Sequence, residues 1–145
     1  MASKLPLSGY ILGLDVGDKR IGTALASVIA QLPQPAGVIS SEGPVYDHIK
    51  NLAKQEDVNL VVIGIPRNLA GEETAQSQKI REFAAGLAEN IDIPIEFADE
   101  SLSSKRADQL AHDTQLQNVS RDSLAACFIL EEFLGSIDSM DGESS

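Results

Sequence analysis

Apolar positions along this chain switch between long runs and a helical spacing, and the switches mark its elements. Residues 1–8 read as a short flexible lead. Tyr10–Leu14 is an apolar run ending at Asp15, and Ile21–Ser27 is a second run after a glycine-containing turn. Together they predict a hairpin, with Gly17 and Gly22 supplying backbone freedom. Ala36–Ser40, following Pro33 and Pro35, predicts a third strand. Val45, Ile49, Leu52 and Ala53 fall at helical spacing and predict an amphipathic helix over 45–56. Leu60–Ile65 is apolar throughout, the pattern of a central parallel strand buried on both faces. A loop over 66–71, a helix over 72–90 with Ile80, Phe83, Ala84 and Leu87 on one side, and a strand over Pro94–Ala98 follow. Residues 102–112 read as helical. Ser120 is a suitable N-cap for a final helix reaching about residue 135, apolar around most of its circumference and therefore buried.

The resulting order, β-β-β-α-β-α-β-α-α, implies a single α/β domain over residues 1–136, built on a mixed sheet covered by helices. The polar, acidic residues 137–145 are expected to form a disordered tail. Ligand sites in such sheets lie beyond the C-terminal ends of the parallel strands. Asp15, the 66–71 loop and Asp99-Glu100 all fall at such ends.

Composition bounds the function. The 145 residues suffice for one compact core, and a 43% apolar, 23% charged chain is ordinary for a globular protein. Without a membrane-length apolar run or a signal-peptide pattern, the expectation is a cytoplasmic protein with no membrane partner. The single Cys127 stands in the apolar run Leu124–Leu130 and is expected to be a buried structural thiol. A net charge of −11 argues against non-specific coating of nucleic acid. Six of the eleven cations, Lys19, Arg20, Arg67, Lys105, Arg106 and Arg121, nevertheless lie in or beside the acid-bearing segments. A local basic rim on an acidic protein and a scatter of solvated charges are both compatible with that distribution.

Three acids are the candidate chemistry. Asp15, Glu100 and Asp122, if gathered, would repel one another unless a hard divalent cation held them. Each also has a plain structural reading. Asp15 could cap a turn, Glu100 could be a solvated surface charge, and Asp122 suits the first turn of a helix. Asp99 is adjacent to Glu100, so on an extended segment the two point opposite ways; Asp99 reads better as a helix cap. His48 and His112 have no partner at ligand spacing and read as solvated. Ser101, Ser103 and Ser104 read as turn and capping residues. Gly64 to Gly71 could present amides to a phosphate, but no Gly-Lys-Ser/Thr follows, so it is no Walker loop.

Four segments, taken in order, resemble the YqgF (RuvX) family. They are Leu-Gly-Leu-Asp-Val-Gly-Asp-Lys-Arg-Ile-Gly at 12–22, Val-Ile-Gly-Ile-Pro-Arg-Asn-Leu-Ala-Gly at 62–71, Asp-Glu-Ser-Leu-Ser-Ser at 99–104 and Asp-Ser-Leu-Ala-Ala at 122–126. The likeness spans about residues 9–134. It implies a ribonuclease H-like fold, a five-stranded mixed sheet with three antiparallel strands first, flanked by helices. It further implies a metal-dependent nuclease in which Asp15, Glu100 and Asp122 hold two Mg²⁺ (or Mn²⁺) ions, with Lys19, Arg20, Arg67 and Asn68 near the substrate phosphates. Two positions depart from the family pattern: a cation is replaced by Ser101 and a carboxylate by Ala70.

The favoured expectation is processing of the 5′ end of pre-16S rRNA. The alternatives are a resolvase of branched DNA, which needs a dimer to cut two strands symmetrically, and a non-catalytic nucleic-acid-binding or transcription-associated factor. Monomer and homodimer both stay open. An actin-like phosphotransferase shares the Gly-Leu-Asp-Val-Gly-Asp loop pattern, but places its nucleotide between two such domains where this chain has one.

Overall fold

The computed structural model of the protein describes residues 5–66, 72–99 and 120–144, with side chains in the last segment as far as Ile137. Strands β1 (Tyr10–Val16), β2 (Arg20–Ser27) and β3 (Gln34–Ser40) come first. Helix α1 (Val45–Gln55), strand β4 (Val58–Ile65), helix α2 (Ala75–Asn90), strand β5 (Ile95–Asp99) and helix α3 (Arg121–Ser144) follow. The sheet order is β3-β2-β1-β4-β5. β1 runs antiparallel to β2 and parallel to β4, so the three opening strands form a meander and β4 and β5 extend it in parallel.

The two-residue period of the strands divides the core into two layers. Ile11 of β1, Ala24 and Ala26 of β2, and Leu60 and Val62 of β4 face α3, packing with Ala126, Ile129, Leu130 and Phe133. Leu12, Leu14, Ile21, Val61, Ile63 and Ile65 face the other way, onto Ile49 and Ala53 of α1 and Ile80, Ala84 and Leu87 of α2. The apolar run of β4 therefore reflects burial on both faces. Each fully buried Leu or Ile contributes about 1.5–3 kcal/mol relative to exposure. Between α1 and α2, Tyr46 tilts against Phe83 at 5.2 Å and its hydroxyl donates to the Phe83 carbonyl. No described helix is long and apolar enough to cross a membrane.

Several boundaries differ from the sequence expectation for identifiable reasons. β3 begins at Gln34 and includes Pro35, which is tolerated because β3 is an edge strand. α2 starts at Ala75 rather than 72, because Thr74 adopts an extended conformation and forms a reciprocal capping box with Ser77. α3 continues to Ser144, so helical backbone runs through the acidic segment expected to be disordered. No proline interrupts it, and Ile137, 5% exposed, ties the turn beyond Gly135 to the core. The predicted helix over 102–112 lies outside the described residues. Ser120 caps α3 as expected: its hydroxyl accepts from Asp122 N at 3.2 Å and its carbonyl from Leu124 N at 3.0 Å. Cys127 is buried as expected, and burial, with a smaller contribution from Glu131, pushes its thiol from 9.0 up to about 12.

Candidate functional site

Asp15 is the penultimate residue of β1 and pairs across the hairpin with Gly22 of β2. Opposed residues of an antiparallel pair project from the same face, and here that face carries α3. A Cβ placed on Gly22 would overlap the carbonyl oxygen of Asp122 and lie 2.9 Å from the Asp122 Cβ. The missing side chain thus lets the first turn of α3 rest on β2 beside Asp15. Gly22 serves close approach rather than the backbone freedom expected of it; neither it nor Gly17 has a positive φ. Two of the three candidate acids are brought to one edge by this packing.

Asp122 sits in the first turn of α3, where the helix dipole favours a carboxylate. Arg20, the first residue of β2, donates from Nε to Asp122 Oδ2 at 2.9 Å, its side chain 68% exposed and that of Asp122 26%. An ion pair this open adds at most about 1 kcal/mol to stability. Lys19 beside it is exposed. The turn carrying both cations is fixed by Gly17 N donating to Arg20 O, Ser41 Oγ to Gly17 O at 2.9 Å, and Ser41 N to Lys19 O. Of the expected substrate contacts, then, Lys19 and Arg20 lie on the hairpin next to the two acids.

The remaining expected residues divide by position. Gly64 follows the Leu14↔Ile63 pair by one residue and is itself paired with Ala98, so small residues line the sheet between β1 and β5 at this edge. Asp99 falls on the same face as Phe97, whose ring lies 5.0 Å below the Arg81 guanidinium of α2. It is therefore on the opposite face of the sheet from Asp15. Glu100, Arg67 and Asn68, together with Ser101 and Ala70, lie outside the described residues. Pro66, the described residue that precedes Arg67 and Asn68, is anchored, since the Ser77 hydroxyl donates to its carbonyl. His48 is exposed on α1, in keeping with a solvated role; His112 lies outside the described residues.

Hard carboxylate oxygens are suitable donors for Mg²⁺ or Mn²⁺, and the donors that Asp15 and Asp122 offer at this edge are of that chemistry. Among the described residues no three His, Cys, Asp or Glu side chains gather at ligand spacing, and the third acid expected, Glu100, is not among them.

Sequence reasoning passed over three serines. Ser123, 1% exposed, donates to Thr23 O at 2.7 Å and accepts from Ala36 N and Gly37 N. Ser41 braces the hairpin turn and Ser77 anchors Pro66 after β4. Only Ser123 left a signal: a polar residue leading an apolar, all-round buried helix has to find partners.

Residues 9–136 match the RuvX family, described as Holliday junction resolvase. Among similar proteins, a "Putative pre-16S rRNA nuclease" of Pelotomaculum thermopropionicum is 35% identical over 87% of this chain and 86% of its own length. One of the same name from Sulfurihydrogenibium sp. is 38% identical over 86% of this chain and 88% of its own. Two solved structures share the fold at low identity. T. thermophilus RuvC in complex with a Holliday junction substrate gives a TM-score of 0.53 at 10% identity, over 84% of this chain and 90% of that one. The Fowlpox virus resolvase bound to Holliday junction DNA gives 0.52 at 13%, over 90% and 98%. The five-stranded mixed sheet is thus the ribonuclease H-like one expected, and the chain belongs to the RuvX (YqgF) family.

Proposed function

We propose that this protein is a divalent-metal-dependent nuclease that hydrolyses phosphodiester bonds and processes the 5′ end of pre-16S rRNA in the cytoplasm. The observation that carries the reading is the seating of Asp122 on Gly22, the register partner of Asp15, at the C-terminal edge of β1. The names of the similar proteins support the RNA substrate. Asp15 and Asp122, with Glu100, would hold Mg²⁺ or Mn²⁺, in this reading a pair of ions. Bound there, the metal supplies an activated water and stabilises charge on the leaving oxygen. The chain's own groups do the rest. Arg20 orients the Asp122 carboxylate through Oδ2 and, with Lys19, presents positive charge toward a phosphate. The braced hairpin turn holds those cations in place, and Arg67 and Asn68 would add contacts from the loop after β4.

The test is cleavage of an RNA spanning the mature 5′ boundary of 16S rRNA, with Mg²⁺ or Mn²⁺ supplied. Wild type should cut it, and Asp15→Asn should abolish cutting while melting like wild type. Undiminished cleavage by the folded variant would refute the mechanism, and no cleavage by wild type would favour a non-catalytic binding factor. A second reading, resolution of branched DNA, draws on the description of the matched family. A four-way junction assayed in parallel, with the oligomeric state measured, separates the two.

A further inference from the structure

We propose that Ser123 is the positioning residue for Asp122, setting where its carboxylate stands relative to Asp15; this rests on the metal-site reading above. The β2–β3 ladder slips between Thr23 and Ala24: Thr23 faces Gly37 while Ala24 faces Pro35, so Ala36 is an inserted residue. A bulge of this kind takes backbone groups out of the ladder, and buried groups so released need partners. The Ser123 hydroxyl supplies them. It accepts from Ala36 N at 3.1 Å and Gly37 N at 3.2 Å and donates to Thr23 O at 2.7 Å. One buried oxygen thereby ties α3 to two strands at a single point, one residue from Asp122.

Docking of α3 does not rest on this contact alone. Ala126, Ile129, Leu130, Phe133, Leu134 and Ile137 hold the helix against the sheet over several further turns. Apolar packing is weakly directional, so it leaves the first turn some freedom to slide and rotate. Steric contact at Gly22 limits approach from below. The three hydrogen bonds of Ser123 fix the remaining direction, along β2 and toward β3. Partners behind a metal ligand typically govern about 10–100-fold in metal affinity.

A double-mutant cycle tests this, with Mn²⁺ binding measured directly by electron paramagnetic resonance of the free ion and melting followed alongside. Ser123→Ala should weaken Mn²⁺ binding about 10–100-fold in the wild-type background. In the Asp122→Asn background it should change binding less than about twofold, because the ligand through which it acts is already impaired. Equal losses in both backgrounds, or no loss in wild type, would overturn the proposal. Should Ser123→Ala fail to fold, Ser123→Cys, which keeps the site filled with a larger but poor hydrogen-bonding group, is read the same way. Wild-type Mn²⁺ affinity in Asp122→Asn would remove Asp122 from the site and the proposal with it. A deficient Asp122→Asn beside an unaffected Ser123→Ala would overturn the proposal alone.

Discussion

Replacing Gly22 with alanine adds one methyl group where α3 rests on the sheet. The new Cβ would overlap the Asp122 carbonyl oxygen and stand 2.9 Å from its Cβ, against about 3.5–4.0 Å for ordinary carbon contacts. Neither neighbour is a flexible tip, so the first turn of α3 has to retreat by roughly 1 Å. Overpacking of this kind costs about 1–3 kcal/mol. In a domain of this size that lowers the melting temperature by roughly 3–12 °C. The rest of the α3 core keeps the helix docked, so the variant should fold. Its activity should suffer more, because a displacement of about 1 Å in a positioned group costs on the order of 100-fold. The assay pairs thermal melting by circular dichroism with Mn²⁺-dependent cleavage of the pre-16S boundary RNA. Gly13→Ala is the control: its Cβ would meet Leu130 Cγ at 2.6 Å and Ala126 O at 3.0 Å, farther along the same helix. It should destabilise comparably and slow cleavage less. A Gly22→Ala protein that melts and cleaves like wild type would refute the close-approach reasoning. Equal activity losses in the two variants would refute the specific link to Asp122.

The other expectations concern separate parts of the fold. Arg20→Gln removes an exposed ion pair and should move stability by no more than about 1 kcal/mol, while half-saturation for RNA rises about tenfold, the worth of one charge-assisted hydrogen bond; steady-state kinetics with a parallel melt decides, and an unchanged half-saturation counts against a phosphate role. Ser77→Ala deletes the capping box of α2 and the donor to the Pro66 carbonyl and should cost about 1–2 kcal/mol in urea unfolding; a neutral result would mean that Thr74 suffices. Leu130→Ala, at a fully buried position, should cost about 2–5 kcal/mol by the same measurement, and a loss below that range would show that the layer under α3 collapses freely. Cys127, whose thiol burial raises from 9.0 to about 12, should resist iodoacetamide at pH 8.5 unless the protein unfolds. Because the folded state keeps the proton that the unfolded state loses above pH 9, the thiol's contribution to stability should be intact below pH 9 and lost as pH rises toward 12. Rapid alkylation of the native protein, or stability rising over that window, would contradict the burial.

Local patterning was enough to give the described strands and helices and the α/β class. The apolar run Leu60–Ile65 has the pattern of a strand buried on both faces, and the acid-terminated run at Tyr10–Leu14 puts Asp15 at a strand end. Order along the chain then restricts the sheet, because three tightly connected strands form a meander and helix-linked strands add in parallel. Resemblance in four ordered motifs carried the family. The juxtaposition of Asp15 with Asp122 was beyond any window of sequence, since it depends on Gly22 presenting no side chain to a helix a hundred residues away. Read locally, Gly22 looked like a turn residue, and Ser123 stood in a motif without a role of its own, because a bulge in β2–β3 pairing creates its partners only after the sheet has formed. The opposite-face placement of Asp99 likewise waited on the register of β5 against β4. Periodicity is a property of neighbours in the chain, whereas close approach and hydrogen-bond satisfaction arise between segments that only folding brings together.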